Sequence, residues 1–370
     1  MDRPLRFHWS LSQAGDKLRR AQATVSMSGL FDPGQQIAAC RQAERNGIES
    51  MLMAIGFTRP DPLQLAIAIG LQTEKIKFMV ACRSGLISPT FYVQQINTAS
   101  AILPGRILLN IVCGHTPHEL RYYGDFLAHD ARYRRTDEFL TVCRGLWSGA
   151  FPYSFQGEHY KIENARLHTP FFGNGAGAPE IFVGGNSTEA AGVAIQHGSC
   201  LWRFPAAPDA LEQQVRPVLH HGTQVGLLTS IIARPTHDEA LAVAAALVAS
   251  VGGEARAVHQ QFAARVDSEG FRSVYEMAQA NSAWITPWLW AGAVPYLGAP
   301  SIALVGSFAE IADAMMLYKQ TGITQFLLMG WPDQEEMDYF GSGVLPLVRA
   351  REQAHRATIT AGDRARAESA

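Results

Sequence analysis

The chain has 370 residues, 47% of them hydrophobic and 17% charged, enough apolar material for one large core or two smaller ones. Its net charge of −2 argues against a nucleic-acid groove or a polybasic membrane surface. No apolar run approaches a membrane span, Met1-Asp2-Arg3-Pro4 leads into a strand-like segment with no signal-peptide pattern, and Cys40, Cys82, Cys113, Cys143 and Cys200 form no C-x-x-C pair, so a cytoplasmic protein with reduced thiols is expected.

From the amino end, apolar strand-like runs fall at 5–9, 50–55, 76–82, 107–113, 180–183, 200–204, 225–233 and 325–329. Helical stretches at 35–45, 62–71, 90–102, 136–146, 188–197, 208–220, 238–249 and 309–320 alternate with them. Capping-box patterns, in which a Ser or Thr precedes a Glu by three residues, occur at Thr116–Glu119, Thr236–Glu239 and Ser307–Glu310. The strands are continuously apolar, as expected where both faces of a parallel sheet are covered. Eight such alternations predict a TIM-type (β/α)8 barrel with insertions at the C-terminal rim. A doubly wound sheet is the alternative, because periodicity does not report closure. One domain is expected over 5–351, with a mobile tail at 352–370. Two stretches break the alternation: a hairpin-like piece within 150–178, and 252–300, a candidate lid that includes Trp284-Ile285-Thr286-Pro287-Trp288.

Chemistry-bearing residues follow in chain order. His115 and His118 have a possible metal spacing, but no third ligand is near, so solvent-facing imidazoles and no metal are expected. Arg132, Arg134 and Arg135 read as a solvated basic face, one of them available to an anion. At Val183-Gly184-Gly185-Asn186-Ser187-Thr188-Glu189 a strand meets a helix through two glycines, with Asn186 and Glu189 as a capping pair. Glycines permit close approach of a ligand and a helix N-terminus offers free N–H groups, so the segment is either a phosphate seat or a tight turn without a ligand. His220-His221 suits the dipole at a helix end.

The chain resembles the bacterial luciferase-like flavin monooxygenases, and among them the alkanesulfonate monooxygenases. The likeness rests on Ser88-Pro89-Thr90, Pro104-Gly105-Arg106, Asn110-Ile111-Val112, His129-Asp130-Ala131-Arg132-Tyr133, Gly184-Gly185-Asn186-Ser187, Leu289-Trp290-Ala291-Gly292, Ala303-Leu304-Val305-Gly306 and Tyr339-Phe340-Gly341. It implies a barrel that takes reduced FMN (FMNH2) from a separate NAD(P)H:flavin reductase and uses it with O2, a flavin C4a-(hydro)peroxide being the oxidant. It also implies a homo-oligomer, dimer or tetramer. By the same resemblance Gly184, Gly185, Asn186, Ser187, Tyr133 and His129 would surround the FMN phosphate. Asn110 and Cys113 would lie against the ring or ribityl chain, and Ala54 and Ile55 would lean on the ring.

The departures concern the substrate. Leu228 and Leu297 stand where the sulfonate enzymes carry arginines, Ser230 where they carry histidine, Trp331 for a tyrosine, Phe204 for a tryptophan, and Arg59 near their cysteine. Losing a bidentate arginine clamp leaves a sulfonate poorly stabilised in a dry pocket. A larger, less charged organic substrate is therefore expected among Arg59, Phe204, Leu228, Ser230, Trp288, Leu297 and Trp331. Ser230 and Trp331 would stand on the reactive side, and Arg59, Arg83 or Arg203 would anchor a carboxylate or similar group. A desulfonating enzyme with a rearranged anion site and a flavin-binding protein without turnover are the alternatives.

Overall fold

The structure, a computed structural model, describes residues 3–11, 32–57, 59–251, 253–280, 282–330 and 333–368. Parallel strands β1 (Arg6–Ser10), β2 (Ser50–Met53), β3 (Lys77–Cys82) and β4 (Ile107–Ile111) pair in sequence order. An antiparallel hairpin, β5 (Tyr153–Gln156) and β6 (Lys161–Ala165), interrupts the alternation where a hairpin was expected. The parallel order resumes with β7 (Ile181–Gly184), β8 (Cys200–Arg203) and β9 (Gln224–Arg234). After β10 (Leu289–Trp290) and β11 (Ala303–Ser307), the last strand, β12 (Ile323–Gly330), pairs with β9 on one side and β1 on the other. The ring is thereby closed: the fold is the (β/α)8 barrel and not the open doubly wound sheet.

Two strands, β10 and β11, were not anticipated. β9 is 11 residues long; its first part closes the barrel against β8 at Gln224–Leu227, and its last part, Ser230–Arg234, pairs with β11. β11 thus lifts away from the ring beside β9, with β10 antiparallel on its far edge. It is short and apolar, and a count that allows one strand per helix absorbs it into the connection.

Alternation along the strands sorts the core into two layers. Phe7, Trp9, Phe78, Val80, Leu109 and Ile181 face the helices. Leu52, Met79, Ala81, Leu108, Phe182, Cys200, Trp202 and Leu327 fill the lumen. Among them His8 is fully buried, its Nδ1 2.7 Å from Ser50 Oγ and Nε2 2.9 Å from Gln325 Oε1, with edge contacts to Phe182 and Trp202. Burial pulls its pKa down to about 4, so it is a neutral, hydrogen-bonded plug at physiological pH.

The helices begin as their sequences direct, with three differences. The boxes at Thr236 and Ser307 form. The Thr116 box does not, because Thr116 Oγ1 lies 2.6 Å from His115 Nδ1 and Glu119 pairs with Arg83. The helix expected from 136 begins at His129 and runs to Trp147. The last helix, Leu345–Glu368, continues through the region where a tail was expected. No helix among the described residues is long and apolar enough to cross a membrane.

At the N-terminal end of the barrel, Arg6 joins three strands: its guanidinium reaches Glu49 at 2.7 Å and Glu180 at 2.5 Å, and Lys77 also meets Glu49 at 2.9 Å. Burial pushes the Glu49 carboxyl upward, but the hydrogen bond and charge of Arg6 outweigh it and bring the pKa down to about 2. A carboxylate whose pKa is depressed by folding stabilises the fold above its unfolded pKa, and that stability is lost as pH falls through the folded value. Replacing Glu49→Gln should therefore cost on the order of 2–3 kcal/mol at pH 7. The difference from the parent should shrink between the unfolded carboxylate pKa of about 4.3 and pH of about 2. Urea denaturation of both proteins across that range checks it; a pH-independent difference would refute the ionic contribution.

Candidate active site

Because all barrel strands are parallel, their carboxyl ends share one rim, and a cavity of about 210 Å³ opens there. Its floor is the top of the lumen core: Leu52, Ala54, Ile55, Ala81, Trp202, Leu228 and Leu327. Asn110, Cys113, Gly184, Gly185 and Asn186 line one side, and Ser268, Gly270 and Phe271, from the 252–300 insertion, line it as well.

The glycine corner is built by sterics. Gly185 has φ +155°, and a Cβ there would stand 2.6 Å from Ala190 Cβ and 2.9 Å from Tyr133 Oη. Gly184 differs: a Cβ on it would touch only Val112 Cγ1, at 3.4 Å, so the protein's own packing does not require glycine there. The helix Thr188–His197 is capped by Ser187, whose Oγ accepts from Ala190 N at 3.2 Å. This corrects the expected Asn186–Glu189 pair. The Asn186 side chain crosses to the neighbouring strand end instead, its Oδ1 accepting from Phe204 N at 3.2 Å. Tyr133, on the helix His129–Trp147, is buried and hydrogen-bonded to Ser187. Burial and the nearby Cys113 push its hydroxyl up, which keeps it protonated as a donor. A helix start and a phenol hydroxyl converge on a backbone without side chains.

Other groups at this side have plain environments. The Cys113 thiol lies 3.3 Å from Thr136 Oγ1, and burial raises its pKa to about 11, so it is not a thiolate at neutral pH. Asn110 Oδ1 is buried without a hydrogen-bond partner. His129 lines the cavity with its ring centroid 5.0 Å from that of Tyr133 and Nδ1 2.8 Å from Asp130.

Of the basic run only Arg134 is exposed. Arg132 is 1% exposed; it donates to Cys113 O at 3.0 Å and Leu127 O at 3.1 Å and pairs with Asp267 at 2.7 Å. Arg135 pairs with Asp125 at 2.5 Å. The Arg132–Asp267 pair fastens the foot of the insertion beside the cavity. Phe271 then stacks on His115 at 4.4 Å and meets Phe204 edge-on at 5.3 Å, which makes an aromatic roof. His115 is thus a packed roof residue with a hydrogen bond to Thr116, not a solvent-facing imidazole.

Nearly all the residues expected around a flavin come together here: Ala54, Ile55, Asn110, Cys113, His129, Tyr133, Gly184, Gly185 and Asn186 line the cavity, and Ser187 caps the helix beneath it. On the substrate side Phe204 and Leu228 do so, as do Arg83 and Arg203, two of the three expected anion anchors. Ser230 is fully buried and its hydroxyl donates to Pro300 O at 2.8 Å, in the neck between β9 and the insertion. Leu297 is buried in a separate cluster with Ile232, Trp290 and Val305. Trp288 packs against the layer between strands and helices. Arg59 sits in the turn after β2 with its amide donating to Gly56 O, and is not among the lining residues. Trp331 lies outside the described residues. Trp202 and Phe271 line the cavity and were not singled out, and His115 lines it where a solvent-facing imidazole was expected; the inward parity of β8 would have pointed to Trp202.

The model of the luciferase-like monooxygenase family matches residues 5–325. Many solved structures resemble the fold, the following three among them. Riboflavin lyase RcaE, solved with modified FMN and riboflavin, has TM-score 0.76 and 20% identity, covering 94% of this chain and 92% of that one. Long-chain alkane monooxygenase LadA has TM-score 0.72 and 18% identity, covering 95% and 92%. EDTA monooxygenase EmoA from Chelativorans sp. BNC1 has TM-score 0.71 and 19% identity, covering 94% of each. With the match spanning most of the barrel and the rim cavity in place, the chain belongs to the luciferase-like monooxygenase family of flavin-dependent enzymes.

Proposed function

We propose that the protein is the oxygenase component of a two-component system, using FMNH2 supplied by a separate NAD(P)H:flavin reductase, and O2, on an organic substrate other than a simple alkanesulfonate. One observation carries this reading: the side-chain-free corner at Gly184-Gly185, backed by a helix start and the Tyr133 hydroxyl, beside a buried Asn110 oxygen that lacks a partner. These features fit a flavin phosphate and a ribityl or ring donor.

Bound there, reduced flavin supplies the two-electron reduction of O2 from which the oxidising equivalent comes. The chain's own residues do the rest. The first N–H groups of the helix Thr188–His197 and the Tyr133 hydroxyl hold the phosphate. Leu52, Ala54, Ile55, Ala81 and Leu327 give the ring an apolar floor, and Phe204 and Phe271 keep water from it. Cys113, neutral at working pH, does not compete as a nucleophile. Leu228 on the substrate side offers no charge to a sulfonate, which supports a substrate with a larger apolar body.

Four outcomes test the proposal. FMNH2, titrated anaerobically, should bind more tightly than oxidised FMN; equal or weaker binding argues against a two-component oxygenase. Gly185→Ala should lower thermal stability and weaken FMNH2 binding by tenfold or more, about 1.4 kcal/mol. Gly184→Ala should weaken binding comparably while leaving the melting temperature unchanged, since its Cβ meets only Val112; if it binds like the parent, the phosphate is not seated there. In single-turnover mixing of photoreduced FMN, O2 and candidate substrates, product should form without sulfite. Sulfite release from an alkanesulfonate would instead identify a desulfonating enzyme.

A further inference from the structure

Arg203 ends β8 as a buried cation without a counter-ion. The residue is 8% exposed, Nη2 donates to Gln214 Oε1 at 3.1 Å, and Nε is buried with no partner. Among the described residues no carboxylate comes within ion-pairing distance of it. Burial lowers its pKa and the field of Glu269 only partly offsets this, yet a guanidinium remains protonated at neutral pH. Other buried arginines are treated differently by the fold. Arg132 pairs with Asp267, Arg135 with Asp125, Arg234 with Glu336, and Arg83, which also lines the cavity, with Glu119 at 2.9 Å.

A buried charge costs free energy unless something pairs with it. Arg203 lines the rim cavity, and no Asp or Glu does. Arg203 stands between the glycine corner and the substrate side: the preceding Trp202 pairs in register with Gly184 of β7, whereas Arg203 itself pairs with Leu227 of β9, next to the cavity residue Leu228. Apolar Phe204, Leu228 and Phe271 share its side of the cavity.

We propose that Arg203 binds the carboxylate or sulfonate of an otherwise apolar organic substrate. The proposal rests on the reading of the cavity as the oxygenase site. It places the anion-binding cation on β8, the strand beside Leu228 of β9. Phosphate shares this chemistry, so the test must separate the two sources.

The probes are benzoate, benzenesulfonate and, as a neutral control, benzamide, added to the parent protein and to Arg203→Met, Arg203→Gln and Arg203→Lys. Removing an unpaired buried charge should leave Arg203→Met at least as stable as the parent, and a melting temperature raised by about 2 °C or more is expected. Benzoate or benzenesulfonate should stabilise the parent and Arg203→Lys but not the Met or Gln variants, and benzamide should not distinguish the four. A destabilised Met variant together with a destabilised Gln variant would assign Arg203 a structural role and overturn the proposal. So would equal anion shifts in parent and variants, or none in the parent. In parallel, FMN and riboflavin are titrated: a tenfold loss for FMN alone in Arg203→Gln would assign the residue to the flavin phosphate and overturn the substrate role. If the anion shifts appear but neither flavin binds, the oxygenase reading fails while the anion site stands.

Discussion

Everything at the rim depends on the seam where the two ends of the chain meet. β1 must lie between β2 and β12, and His8 fastens that arrangement from inside, reaching Ser50 on one neighbour and Gln325 on the other. A polar ring in an apolar lumen is tolerable only because both nitrogens are hydrogen-bonded and the ring is neutral. Outside the seam, Glu352 of the last helix accepts from Leu5 N at 2.6 Å and meets Lys319 at 2.8 Å, so the carboxyl-terminal helix holds the first strand in place. With the ring closed, every parallel strand delivers its carboxyl end to one face, and residues distant in sequence become neighbours without any further device.

The barrel was legible because its signal is repeated: continuous apolar runs and capped helices recur along the chain, and each supports the others. The glycine corner was legible for a similar reason, since strand, glycines and helix start are adjacent in sequence. Its cap was misread by one residue. Ser187 and Asn186 are both good caps, and only the position of Phe204 N, on another strand, decides that Asn186 is used elsewhere. Likewise the burial of Arg132 is set by Asp267, a residue 135 positions away.

The substrate side was the least legible part. Ser230 and Leu297 were placed by linear correspondence to an enzyme group, and correspondence says nothing about what covers a side chain. β9 continues past the ring and pairs with β11, so Ser230 is roofed by Pro300 and Leu297 falls behind the strands. The residues that do face the cavity there, Trp202 and Phe271, come from strand parity and from an insertion whose path local sequence does not encode.

The Arg132–Asp267 pair has a consequence for how such a protein can diversify. The arginine sits one residue before Tyr133, and the aspartate stands at the foot of the segment that roofs the cavity. The roof is therefore not an independent module. Grafting a foreign insertion onto this barrel would strand a buried guanidinium unless the graft brought an acidic residue at the same foot position. Recombination between relatives is thereby restricted to segments that keep the aspartate, while the roof's other residues remain free to change.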